Sequence, residues 1–139
     1  MKSMSDKILI DSNIWLYAFM SSPYEKLMIS SNLIDNTENI IRSTQNINEI
    51  CVNLIRKCGY EEQHIQMLIK NLYNNFSIVY LNKNIILNAS KNKKAYNFSY
   101  WDSLIISTAM INDCKYIYSE DMQNGIIVFE QIIIKNPFI

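Results

Sequence analysis

Short apolar runs of the kind found in buried strands alternate with segments whose apolar residues recur at helical spacing, almost from one end of the chain to the other. Residues 7–11 read as one buried strand and Asn39-Ile40-Ile41-Arg42-Ser43 as a second. Residues 77–81 and 116–118 read as two more, and Gly125-Ile126-Ile127-Val128-Phe129 opens the last. Ser12 is placed to cap a helix carrying Ile14, Trp15, Tyr17, Ala18 and Phe19, which ends near Ser21-Ser22-Pro23 because proline stops or restarts a helix. Residues 24–36 show helical spacing through Leu27, Met28, Leu33 and Ile34. The clearest helix spans 44–58: Ile47, Ile50, Cys51, Leu54, Ile55 and Cys58 are spaced by 3, 1, 3, 1 and 3, Arg56 and Lys57 occupy its last turn, and Gly59 supplies the stop. Residues 61–74 form another, with Ile65, Leu68, Ile69 and Leu72 inward, and 83–95 and 101–112 complete the set, the last packing Leu104, Ile105, Thr108 and Ala109. Strands alternating with helices predict a mostly parallel sheet with helices on both faces. With 139 residues and no repeats or linkers, one domain is expected.

In such sheets ligands bind beyond the carboxyl ends of the strands. Four acids border the apolar segments there. Asp11 follows Ile8-Leu9-Ile10, Glu49 lies within the helix 44–58, Asp102 precedes Ser-Leu-Ile-Ile, and Asp121 follows Tyr116-Ile117-Tyr118-Ser119-Glu120. Burying an ionised carboxylate costs several kcal/mol unless something compensates. With no His or Cys among them, a converging set suits a hard cation, Mg²⁺ or Mn²⁺, which can activate water and stabilise charge on a phosphate. Each acid also has a plainer role open to it. Asp11 can cap the next helix, although Ser12 already offers a cap. Glu49 can sit in a solvated pair on a helix flank, Asp102 can cap helix 101–112, and Asp121 can be a turn residue in Ser-Glu-Asp-Met-Gln-Asn-Gly.

Composition bounds the rest. Hydrophobic residues make up 49% and charged residues 19%, which is a globular balance. The formal net charge is zero, so a nucleic-acid partner is neither favoured nor excluded. If the four acids cluster, nine acids remain against 13 basic residues, and the remaining surface is net basic by about four charges. Cys51, Cys58 and Cys114 are odd in number, form no C-x-x-C pair and lie among apolar residues, which reads as reduced, buried thiols of a cytoplasmic protein. No local pattern pairs the single histidine, His64, with a cysteine. No signal peptide or membrane span is expected. Lys91, Lys93, Lys94, Arg42 and Arg56 can meet a phosphate backbone or lie on solvated faces. Among the aromatics, Tyr100 and Trp101 are the best candidates for base stacking, being next to Asp102.

These residues resemble the PIN domains, the fold of the VapC-type toxin ribonucleases, almost end to end. Ile8-Leu9-Ile10-Asp11-Ser12-Asn13 is similar to the family's strand followed by D-x-N. Ser43-Thr44-Gln45-Asn46-Ile47-Asn48-Glu49 resembles its second element, a helix start bearing an N-E pair. Tyr100-Trp101-Asp102-Ser103-Leu104-Ile105 resembles its third. Tyr118-Ser119-Glu120-Asp121-Met122-Gln123-Asn124-Gly125 resembles its fourth, and Lys135-Asn136-Pro137-Phe138 looks like the tail of that variant. The resemblance implies a PIN-like three-layer α/β/α fold with a mostly parallel central sheet of four to five strands, in a single domain over 1–139. It implies a metal-dependent endoribonuclease in which Asp11, Glu49, Asp102 and Asp121 hold one or two Mg²⁺ or Mn²⁺ ions, with Asn13 and Ser119 orienting the carboxylates. Glu120 can substitute for Asp121 or point outward. The implied partners are an RNA substrate, an antitoxin protein and a second copy in a homodimer.

Two other readings compete. One is a non-catalytic PIN-like module for RNA binding or assembly. The other is an α/β phosphatase or phospho-acceptor domain, which also starts with an aspartate after a strand. Haloacid-type phosphatases use D-x-D where this chain has Asn13, and a receiver's acidic pair and late lysine are not evident.

Overall fold

The computed structural model describes residues 6–139. The chain runs β1 (Lys7–Ile10), α1 (Ser12–Phe19), α2 (Tyr24–Asp35), β2 (Ile40–Ser43), α3 (Thr44–Cys58), α4 (Glu62–Asn75), β3 (Ile78–Val79), α5 (Lys83–Tyr96), α6 (Tyr100–Ile111), β4 (Cys114–Tyr118), β5 (Ile127–Val128) and β6 (Ile132–Lys135). The strand order across the sheet is β3-β2-β1-β4-β6-β5. All neighbours are parallel except β5, which runs antiparallel to β6.

Side chains of successive strand residues point to opposite faces, so each strand feeds two cores. Ile8 and Ile10 join Ile14, Trp15 and Leu16 of α1, Ile50 and Leu54 of α3, and Ile65 of α4 on one face. Leu9 joins Ile105, Ile106 and Ala109 of α6, with Ile132 and Ile134 of β6, on the other. The pairing of β1 with β4 steps over Lys115, since Lys7 faces Cys114 while Ile8 faces Tyr116. That irregularity lets Cys114 and Ile117 share one cluster although they are three residues apart. Helix α5 packs on α6, where the Ser107 hydroxyl donates to the Ile85 carbonyl. The result is the expected three-layer α/β/α fold, PIN-like in its mostly parallel sheet.

Several expectations need correction. The described residues form six strands, not four to five. The apolar run after Gly125 is a hairpin, not one strand. Its turn places Phe129 and Glu130 at φ of 52° and 57°, and Gln131 N donates to Val128 O at 3.1 Å. A left-handed turn of this kind normally announces itself with Asn or Gly, and here it has neither. The strand expected over 77–81 shortens to Ile78–Val79. Met28 and Ile55, members of the apolar helical spacings, are exposed, and of the three free thiols only Cys114 is buried. Burial pushes the Cys114 thiol up to about 12, so it stays protonated and unreactive.

The first helix is capped by Asp11, not Ser12: the Asp11 carboxylate accepts from Ser12 N at 2.7 Å. At α6 the cap is Ser99, whose hydroxyl accepts from Asp102 N at 3.1 Å, so the capping role considered for Asp102 belongs to Ser99. Helix α3 begins with a capping box between Ser43 and Asn46 and ends at Gly59 in the left-handed conformation.

A carboxylate cluster at the ends of two parallel strands

Adjacent parallel strands β1 and β4 end side by side, and Asp11 N donates to Tyr118 O at 2.9 Å. Asp11 is the first residue beyond β1 and Ser119 the first beyond β4. Both are buried, and the Ser119 hydroxyl donates to Asp11 Oδ2 at 3.0 Å while Ser12 N occupies Oδ1. One Asp11 oxygen therefore caps the helix, while the other accepts from Ser119 at the end of the neighbouring strand.

Glu49 enters from α3 and Asp102 from the first turn of α6, both half-buried. Asp121 is exposed, and Asn13 Nδ2 donates to its Oδ2 at 2.7 Å. Burial is the main cause that raises the Asp11 carboxyl above its ordinary range. The Ser12 and Ser119 hydrogen bonds oppose it, and the charges of Asp102 and Asp121 add to it. Burial likewise raises Glu49, helped by the charges of Asp11 and Asp102, and raises Asp102, helped by that of Asp121. The four acids thus form one electrostatic group, with Asp11 and Asp102 each acting on or feeling the other three. Glu49 Oε1 is a buried oxygen with no hydrogen-bond partner, although Gln45 and Ser12 lie close enough to ease its charge.

Glu120, the residue that could be confused with Asp121, is engaged elsewhere. Its carboxylate accepts from Tyr17 at 2.9 Å and pairs with Lys26 at 2.6 Å, while the Lys26 ammonium stands over the Tyr17 and Phe138 rings. Asn136 Nδ2 donates to the Glu120 carbonyl, and Asn136 N donates to Asn124 Oδ1. The tail thereby pins the loop that carries Asp121.

Some neighbours of the cluster carry no signal as single residues. Asn46 Nδ2 donates to Ser12 Oγ at 3.1 Å and to the Ile10 carbonyl at 3.3 Å, tying the start of α3 to the end of β1. Gln45 is buried beside it, with Nε2 donating to the Trp101 carbonyl at 3.2 Å. Of the N-E pair expected at this helix start, Asn48 is exposed, and Asn46 is the asparagine that ties the elements together. Arg42 is not the fully solvated charge that was one of its two expected roles. Its half-buried guanidinium stacks 3.6 Å from the Phe76 ring centre and 5.3 Å from that of Trp15, and burial lowers its pKa. Lys91, Lys93, Lys94, Arg56 and His64 are exposed.

Whether these residues suit a divalent ion turns on their donors. Every candidate ligand is a carboxylate oxygen, one of them buried without a partner, and burial, helped by the neighbouring charges, raises the pKa of Asp11, Glu49 and Asp102. A hard cation relieves all of these at once. Among the described residues, no group of three or more His, Cys, Asp or Glu side chains is arranged to hold a metal ion. Mg²⁺ does not require such a clasp, because it keeps several waters and takes only one or two carboxylates directly.

The PIN domain family model matches residues 8–124. The fold is similar to that of the VapC20 toxin of Mycobacterium tuberculosis, a sarcin-ricin loop cleaving toxin, with TM-score 0.70 and 12% identity over 83% of this chain and 90% of that one. It is also similar to a chain of a toxin-antitoxin complex from Klebsiella pneumoniae, with TM-score 0.68 and 16% identity over 94% of this chain and 98% of that one. A third likeness is to VapBC2 from Rickettsia felis bound to a promoter DNA fragment, with TM-score 0.64 and 14% identity over 93% and 97%. At these identities the likeness is one of fold. A search of curated proteins finds no match.

Proposed function

The chain belongs to the PIN domain family, and from that premise we propose that it is a Mg²⁺- or Mn²⁺-dependent endoribonuclease, one PIN-like domain over residues 1–139. The observation that carries this reading is the convergence of Asp11, Glu49 and Asp102, each raised by burial and by its neighbours' charge, at the carboxyl ends of parallel strands. An RNA phosphate would be repelled by four bare carboxylates, so a cation is needed before substrate can approach.

Asp11, Glu49, Asp102 and Asp121 are the residues that would hold it. When bound, a divalent ion supplies activation of water and neutralisation of phosphate charge. The protein's own groups supply position. Ser12 N and Ser119 fix the two Asp11 oxygens, and Asn13 fixes Asp121. With Oε1 unpartnered, Glu49 has an acceptor left to take a proton from the attacking water.

The likeness to chains of toxin–antitoxin complexes supports extending the reading to the toxin of such a pair, held by an antitoxin protein; pairing with a second copy of itself is a further part of the proposal. Among the described residues no helix is long and apolar enough to cross a membrane.

The non-catalytic alternative draws on one observation, the lack of a three-sided clasp for an ion among the described residues. Incubating the purified chain with single-stranded RNA separates the two. Cleavage is expected in Mg²⁺ or Mn²⁺ and should stop when EDTA is added. Binding without cleavage in either metal would favour the assembly module.

A further inference from the structure

Beside Glu49, between α3, the start of α6 and the segment after β3, lies a groove of about 390 Å³ lined by Gln45, Val52, Asn53, Leu81 and Trp101. Trp101 is 64% exposed, a large apolar surface left in solvent immediately beside Asp102. Its indole is not loose: the Tyr100 ring packs edge-on at 5.3 Å. Its carbonyl is held by Gln45 Nε2. That bond decides the orientation of the Gln45 amide, since the other orientation would set two acceptors against each other. Gln45 Oε1 is left as a buried acceptor with no partner, on a side chain only 5% exposed. A buried, unpaired acceptor costs free energy that a ligand donor would recover.

We propose that this groove holds one unpaired nucleobase of the RNA substrate, stacked on Trp101, and that a turn of the Gln45 amide brings Oε1, covered in the free protein, within reach of the base's exocyclic amino group. The inference rests on the nuclease reading and deepens it to a base preference. Adenine, cytosine and guanine carry such an amino group and uracil does not. Val52 (44% exposed) and Leu81 offer apolar surface and the indole a stacking platform. Gln45 and Trp101 are thus specificity residues at the edge of the carboxylate cluster.

The test uses the full wild-type chain in Ca²⁺, a hard cation that carboxylates hold but that activates water poorly, so that hydrolysis does not consume the probe. Labelled single-stranded hexamers of A, C and U are titrated in Ca²⁺ and followed by fluorescence polarisation. Hexamers of A and C should bind about tenfold more tightly than U. Adding Trp101→Leu should weaken A and C by about tenfold, with Trp101→Phe keeping most of the affinity. Adding Gln45→Met should level the three hexamers while leaving the Trp101 contribution in place. Trp101 is exposed, so its variants test the proposal even if the Gln45 variant folds poorly. Equal affinity for all three hexamers, as expected if Gln45 Oε1 serves only a bound water, would overturn the proposal. So would an unaffected Trp101→Leu protein or no binding at all. Selective binding by a chain whose wild type cuts no RNA would leave the groove standing and remove the nuclease. RNA cleavage indifferent to Trp101 and Gln45 would do the reverse.

Discussion

Asp11→Asn is expected to lower RNA cleavage by about two to four orders of magnitude while raising, not lowering, the melting temperature in the absence of divalent cations. The two effects share one cause. Asp11 is buried, is pushed up chiefly by desolvation, and faces the charges of Asp102, Asp121 and Glu49. Asparagine keeps an acceptor for Ser12 N, and the Ser119 hydroxyl can rotate to accept from the new amide. The cap is retained and the repulsion removed, yet the oxygen a cation needs is gone. If Asp11 were only a helix cap, the same change would leave both stability and cleavage nearly unchanged, because asparagine caps a helix about as well as aspartate. Paired measurements of cleavage rate and thermal unfolding on one preparation separate the cases. A fall in both together would mean a structural role.

The second large effect is on the pH dependence of stability. Asp11, Glu49 and Asp102 all have folded-state pKa values above their unfolded ones. Below the ordinary carboxylate range, both states are protonated and these groups cost nothing. As pH rises from about 4, the unfolded chain releases their protons first, the folded chain binds more protons than the unfolded one, and stability falls. The loss is complete once pH exceeds the raised folded values. Compared with a triple variant carrying Asp11→Asn, Glu49→Gln and Asp102→Asn, the wild type should therefore lose stability progressively between about pH 4 and neutrality. Mg²⁺ or Mn²⁺ should close the gap at neutral pH and do little at pH 4. A cation at one hundred times its dissociation constant adds about 2.7 kcal/mol, or roughly 5–10 °C for a chain of this length. The triple variant should not respond. Thermal melts across pH, with and without metal, would show whether the gap follows this pattern, and a constant offset at all pH values would contradict it.

Much of the architecture is readable from residue spacing. Helix α3 falls on 44–58 as its apolar spacing and Gly59 indicate, because a single strong stripe and a left-handed stop leave no competing arrangement. The strand before Asp11 is equally plain. The hairpin after Gly125 is hidden because Phe129 and Glu130 adopt left-handed conformations without the usual turn residues, so Ile126 to Ile134 reads as nearly continuous strand. At the site, the four acids stand out as charges bordering apolar segments, whereas Asn46 and Gln45 do not. Polar residues in a helix's first turn are ordinarily solvated, and these two are buried only because β1, α3 and α6 meet there. Arg42 misleads for the opposite reason: its guanidinium lies against Phe76, more than thirty residues away in sequence, which no local pattern foretells. The likeness between neighbouring Glu120 and Asp121 is resolved only by the distant partners Lys26, Tyr17 and Asn13.

Mn²⁺ binding by titration calorimetry at neutral pH is the most direct trial of whether these carboxylates serve a cation. Saturable binding is expected for the wild type, loss of it for Asp102→Asn and Glu49→Gln, and weakening for Asp121→Asn. Glu120→Gln should bind like the wild type, because Glu120 is turned toward Lys26 and Tyr17. No binding by the wild type, or binding that survives Asp102→Asn and Glu49→Gln alike, would contradict the metal-dependent site.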